Sequence, residues 1–332
     1  MGYNRLKKWE NELNICIRCG YCYEHCHLFK LFNWETDTAR GKLLLLYGLL
    51  THEIKPSPYI AEKISQCFYC KNCSDNCSAQ VPVTDIFTDA RADLLDAGFD
   101  IDGTTANVDE DLCSVCGMCV PVCKSEALSI TKDDNGNEKI VVDKVQCKSC
   151  GLCIATCPAG ATFQKEGFGV SPSELYTKVT SFLRMNEGVK LIVFCCNWSV
   201  YPGLQLSVSP NLIRTPFGII VTMCSGRVAP ELILNAFSEG AWGVMISGCP
   251  PEECEHNGNY KARRRILLLK NLLKQLNIEP ERIRLEWVST GESMKLKQAI
   301  TDFADEIAKL GPIKKMEEKS YGGKEDNLRV KT

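Results

Sequence analysis

The residues best suited to chemistry in this chain are its 21 cysteines, and their spacing sets sixteen of them into quartets. Cys113, Cys116, Cys119 and Cys123 are answered 34 residues later by Cys147, Cys150, Cys153 and Cys157, each set reading C-x2-C-x2-C-x3-C. Val108-Asp109 precedes the first set as Val142-Asp143 precedes the second, so the stretch is an internal duplication. Three thiolates at this spacing surround one face of a 4Fe-4S cubane, and the fourth goes to a neighbouring cluster. Structural zinc also uses paired cysteines but needs only four thiolates, whereas here third and fourth cysteines recur in step. Two more quartets lie upstream, Cys16, Cys19, Cys22 and Cys26, then Cys67, Cys70, Cys73 and Cys77.

Composition narrows the setting. A chain of 332 residues has room for two or three domains with cores of their own. A net charge of -2 and a pI near 6.2 give neither nucleic acid nor an anionic membrane an evident hold. The polar stretch Met1 to Asn14 does not read as a signal peptide, and the aliphatic run from Leu43 falls short of the ~20 residues of a membrane span. No direct membrane insertion is expected. Cysteines clustered at metal spacing in a long chain point to a reducing cytoplasm rather than to disulfides.

The elements that must hold these quartets change character along the chain. Between Cys26 and Cys67 the sequence is helical, with Ile60, Ile64 and Cys67 at helical intervals. Thr84 is the expected N-cap of a helix bearing Ile86, Ala90, Leu94 and Ala97, and Gly98 its stop. Gly98 to Asn107 reads as a hinge. Ile130, the turn Asp133 to Gly136 and Ile140 to Val142 form a small β-hairpin inserted between the later quartets. After a second linker near Gln164 to Pro172, apolar runs at Lys190 to Cys195, Gly218 to Met223, Gly243 to Ser247 and Ile283 to Val288 alternate with helical ones. That alternation predicts a parallel sheet covered by helices. The expected fold class is α+β multidomain: an all-helical two-cluster unit over 1–104, a compact βαβ two-cluster unit over 105–166, an α/β domain over 173–311 and a mobile tail over 312–332.

Residues 105 to 165 resemble a bacterial-type two-cluster ferredoxin. The resemblance implies crossed ligand sets, Cys113, Cys116, Cys119 and Cys157 for one cluster and Cys147, Cys150, Cys153 and Cys123 for the other. Pro158 follows the family pattern, and Lys124 takes the matching place after Cys123. The segment CIRCGYCYEHC, the TDTARGK turn and CFYCKNCSDNCSAQVPVTD resemble the iron-sulfur subunits of heterodisulfide reductase, anaerobic glycerol-3-phosphate dehydrogenase and glycolate oxidase. The same crossover assigns Cys16, Cys19, Cys22 and Cys77 to one cluster and Cys67, Cys70, Cys73 and Cys26 to another. His27 and Ser78 stand where that family usually has proline.

The other five cysteines share an address. Cys195 and Cys196 end the first predicted strand, Cys224 follows the second, and Cys249 and Cys254 follow the third, where the carboxyl ends of an α/β sheet converge. CCNW, MCSGR, GCPPEEC and GNYKARR resemble the delta subunit of methyl-viologen-reducing hydrogenase, which implies one 2Fe-2S cluster. That family commonly reads CNWC, and Ser199 takes the last place here. Cys195 or Cys196 therefore supplies the fourth ligand beside Cys224, Cys249 and Cys254. His256 reads as a loop histidine with ordinary hydrogen bonds. Lys261 and Arg263 to Arg265 read as a solvated basic turn.

Neither a dinucleotide fingerprint nor a P-loop appears, and no catalytic residue is assigned. The resemblances imply an electron-transfer subunit in a hetero-oligomeric complex. It would connect a flavin-containing heterodisulfide reductase-like partner, for which the resemblance leaves electron bifurcation open, to a second oxidoreductase. That second enzyme could be a hydrogenase, a formate dehydrogenase, an NADH-linked module or a methylenetetrahydrofolate reductase. The alternative is an iron-sulfur subunit of a hydroxyacid or glycerol-3-phosphate dehydrogenase complex.

Overall fold

The computed structural model describes residues 4–24, 26, 28–29, 34–67, 69, 71–167, 169–197, 217–289 and 292–313. Cys70, His27, Ser199 and the tail from residue 314 lie outside the described residues. The chain is α+β, with helices first, two antiparallel strand pairs next and a parallel sheet last.

The N-terminal part is built from α1 (Asn4–Lys7), α2 (Glu10–Ile15), α3 (Tyr21–Glu24), α4 (Ala39–Leu50), α5 (Pro58–Ser65), α6 (Asn72–Asp75) and α7 (Val83–Asp96). Leu6, Leu13, Leu43, Leu46, Ile60, Ile64, Ile86, Phe87 and Leu94 bury one face of each main helix in a shared core. Thr38 caps α4 by accepting from Gly41 N at 3.1 Å. Thr84 is not the N-cap of α7. Pro82, already near helical φ, brings the chain into the helix two residues earlier. Thr84 then lies in the first turn, where its N–H donates to Ser74 Oγ at 3.3 Å.

The predicted hinge is instead a buried strap. Ile101, Asp102, Thr104 and Thr105 are all buried. Thr104 Oγ1 donates to Ser149 Oγ at 2.8 Å, and Gln164 Nε2 donates to Thr104 O at 2.7 Å. Asp102 pairs with Lys144 and Lys165. Polar residues that look like a flexible linker bond and pair with one another across the junction.

Strands β1 (Ala106–Val108) and β4 (Thr162–Gln164) pair antiparallel, as do β2 (Leu128–Lys132) and β3 (Glu138–Val142). The second pair is the expected hairpin, its turn closed by Gly136 N donating to Asp133 O at 2.9 Å. Helix α8 (Pro172–Met185) follows, opened by a reciprocal capping box between Ser171 and Glu174.

The last part is a four-stranded sheet in the order β6 (Phe217–Thr222), β5 (Leu191–Cys196), β7 (Gly243–Gly248), β8 (Ile283–Trp287), all parallel. Helices α9 (Pro230–Ser238), α10 (Gly258–Gln275) and α11 (Ser293–Leu310) cover it. Alternate residues of β5 serve opposite faces. Ile192 and Phe194 meet α8, α9 and α10, whereas Leu191, Val193 and Cys195 lie with Leu296, Ile300, Phe303 and Ile307 of α11. Among the described residues no helix is long and apolar enough to cross a membrane.

Candidate metal centres

Four loops share one backbone. The residue before the second cysteine is left-handed in each quartet: Arg18 (φ 58°), Tyr69 (52°), Val115 (51°) and Ser149 (58°). So is the residue after it: Gly20, Lys71, Gly117 and Gly151. Non-glycine residues enter this region at a cost, and such strain persists where the surroundings demand it. Each loop thereby curls tightly, and backbone N–H groups within and beside the loops meet sulfur. Tyr69 N donates to Cys67 Sγ, Val81 N to Cys77 Sγ, Ala106 N to Cys147 Sγ and Ala127 N to Cys123 Sγ, each at 3.4 Å.

Three fourth cysteines, Cys77, Cys157 and Cys123, lie beside the first three of the other quartet. Cys16, Cys19, Cys22 and Cys77 line one cavity. Burial, then the charges of Cys16, Cys26, Cys19 and Cys77, pushes the Cys22 thiol up to about 11. Cys113, Cys116, Cys119 and Cys157 line a second cavity. Burial raises Cys119, whereas hydrogen bonds from Thr162 bring Cys157 down against the burial that would raise it. Cys123 joins the other loop: Cys153, pushed well up by burial, is surrounded by Cys150, Cys147 and Cys123. Burial likewise carries Cys150 up to about 12. Cys67 and Cys26 both neighbour Lys42, and Cys73 is buried in the same core.

Buried cations provide a test of what these sulfurs hold. Lys42, Arg91 and Arg227 are 1%, 0% and 4% exposed. Lys42 Nζ, Arg91 Nε and Arg227 Nε and Nη2 have no hydrogen-bond partner among the described residues. Each sits beside cysteines: Lys42 by Cys67 and Cys26, Arg91 donating to Cys67 O and Cys147 O, Arg227 by Cys153. An uncompensated buried cation costs several kcal/mol. An anionic iron-sulfur cluster is the counter-charge that this arrangement fits at the Cys67 and Cys147 loops.

At the carboxyl edge of the parallel sheet the structure separates two neighbouring cysteines. Cys196 Sγ lies 3.8 Å from Cys249 Sγ. Cys224 and Cys254 share a hydrogen bond, and Cys249 also bonds Cys254. Those bonds, from Cys224 first, together with His256 and the Asn259 backbone, draw the Cys254 thiol far down. Cys195, wholly buried in the same core, has only Cys196 as a neighbouring sulfur among the described residues, and burial raises its thiol. Four sulfurs thus converge and one stands apart. His256, 7% exposed, sits with Cys224 and Cys254, the three ligand atoms within 4.8 Å of one another. Sequence reading missed this because nothing local to the CPPEEC segment ties His256 to Cys224.

Arg265 also departs from expectation. It is not a solvated charge: it donates to Gly226 O at 2.5 Å, Ala155 O at 2.9 Å and Thr156 Oγ1 at 3.1 Å. Arg263 and Arg264 stay exposed.

Paired two-cluster cysteine units ahead of a parallel α/β sheet with sulfur at its edge define an iron-sulfur protein. Two stretches, 12–81 and 112–161, match 4Fe-4S dicluster domains, and residues 191–311 match the family described as methyl-viologen-reducing hydrogenase, delta subunit. The chain belongs to this delta-subunit family through its C-terminal part. It is 44% identical over 125 residues to the iron-sulfur subunit of the F420-non-reducing hydrogenase vhc of Methanococcus voltae, 37% of this chain and 87% of that one. The F420-non-reducing hydrogenase iron-sulfur subunit of Archaeoglobus profundus is 44% identical over 126 residues, 37% and 92% of the two chains. A subunit of the ferredoxin:CoB-CoM heterodisulfide reductase of Methanosarcina mazei is 36% identical over 224 residues, 66% of this chain. The chain spans only 27% of that relative's length.

Proposed function

We propose that this chain is the electron-transfer subunit between a flavin-containing heterodisulfide reductase-like partner and a second oxidoreductase, a hydrogenase being the one its relatives' names support. It would hold four 4Fe-4S clusters, on Cys16, Cys19, Cys22 and Cys77; Cys67, Cys70, Cys73 and Cys26; Cys113, Cys116, Cys119 and Cys157; and Cys147, Cys150, Cys153 and Cys123. A 2Fe-2S cluster would take Cys196, Cys224, Cys249 and Cys254. Such clusters accept and release single electrons. The chain's own residues keep water away, supply N–H···S bonds and set distances.

The observation that carries this reading is the position of the Cys147 to Cys153 loop. Cys150 packs against both the ferredoxin core and the core that contains Cys196, Cys224, Cys249 and Cys254. On the other side, Arg91 of α7 links Cys67 O to Cys147 O, at 3.3 and 3.5 Å. Sulfur sites of all three parts are therefore in series. Cys19 and Cys116 are exposed while most other cysteines are covered. Exposed Ile17 and Tyr21 line the cavity of the first, and exposed Met118 that of the second, as apolar rims suited to partner redox proteins.

Iron, zinc and acid-labile sulfide on anaerobically purified protein, with EPR and Mössbauer spectra, test the proposal. About 18 irons per chain with cubane and 2Fe-2S signals are expected. Zinc without sulfide would overturn it.

A further inference from the structure

Arg227 and Arg91 reach the Cys147 to Cys153 loop from two distant parts of the chain, one from the turn after β6 and one from helix α7. The Arg227 side chain lies across Gly151. A Cβ there would collide with Arg227 Cδ and stand 2.9 Å from Nε. Neither arginine has an acidic partner among the described residues, and a guanidinium stays charged in a protein.

The internal duplication supplies a control. Gly117 is the counterpart of Gly151, with the same φ of 72°. A Cβ on Gly117 would meet only Ile130 Cδ1, at 3.4 Å. The two loops have the same spacing and backbone at this glycine, but only one is crossed by an arginine.

Resting on the iron-sulfur reading above, we propose that Arg227, together with Arg91, raises the reduction potential of the centre on the Cys147 loop above that of its duplicate on the Cys113 loop. This makes it the collecting point where the three parts of the chain meet. Reduction adds negative charge in a poorly solvated place, and a fixed cation beside it favours the reduced form. The cation comes from the delta-subunit-like domain, so the packing of that domain on the ferredoxin sets the potential.

The test is an EPR-monitored redox titration of the iron-loaded full chain, wild type against Arg227→Met and Arg227→Lys. Signals are assigned with Cys150→Ser and Cys116→Ser. The Cys147-loop centre of the wild type should be reduced before the Cys113-loop centre. Arg227→Met should shift that centre alone downward by about tenfold in its electron-exchange equilibrium, ~59 mV for one electron, and Arg227→Lys should restore most of it. The inference is overturned if the Cys113-loop centre is reduced first, if full iron loading leaves the potential of Arg227→Met unmoved, or if all centres move together. Should Arg227→Met fail to load iron, the wild-type order and the lysine variant decide. Zinc in place of iron and sulfide in the wild type would sink the electron-transfer reading as well. Unmoved potentials in iron-loaded protein sink this inference alone.

Discussion

Side-chain direction separates Cys195 from Cys196. Adjacent strand residues face opposite sides of the sheet, and only Cys196 turns toward Cys249. Cys196→Ser should therefore remove about two irons per chain and the 2Fe-2S signal, while Cys195→Ser keeps both. Equal loss in the two variants would contradict the assignment. Glu174 offers a prediction about pH. Burial works to raise its carboxyl, but hydrogen bonds from Ser171 and the Gly169 and Gly167 backbone outweigh it and hold the group below its ordinary value of 4.5. A depressed folded value means that the stabilisation is fully present above the unfolded value and lost as pH falls through the folded one. Ser171→Ala should cost about 1 kcal/mol at pH 7. Urea titrations at pH 7 and in acid should show that difference shrinking as the medium becomes acidic.

Element geometry brings the edge cysteines together. Helix α10 begins at Gly258, where a side chain would run into Cys224 Sγ. Gly258→Val should displace Cys224 and empty the C-terminal site while leaving the cubane signals of the ferredoxin parts unchanged. Loss of every signal would mean that the helix start supports the whole chain instead. The αL positions beside the cysteines were not evident in the sequence at Arg18, Tyr69, Val115 and Ser149, because side chains there give no sign of φ. Glycine announces such a position only at Gly20, Gly117 and Gly151. The sheet and its helices were legible, since apolar runs and amphipathic spacing are local properties.

Over the whole molecule, Cys19 and Cys116 stand at exposed edges, while Cys224 at the sheet edge is buried. Ile17, 74% exposed, is the prominent apolar side chain at the first edge. Ile17→Glu should slow electron exchange with a partner redox protein several-fold in stopped-flow mixing, with iron content unchanged. An unaltered rate would place that contact elsewhere. The amino-acid sequence by itself determined the quartets, the duplication and the alternation of strands with helices, because ligand spacing and hydrophobic period are written within short windows. Only the tertiary structure decided that Cys196 joins Cys249, that the polar strap at Asp102 to Thr105 is buried, and that Arg91 and Arg227 meet one loop from two directions. Those outcomes depend on groups far apart in the chain, and the need to compensate each buried charge and polar atom brings them together.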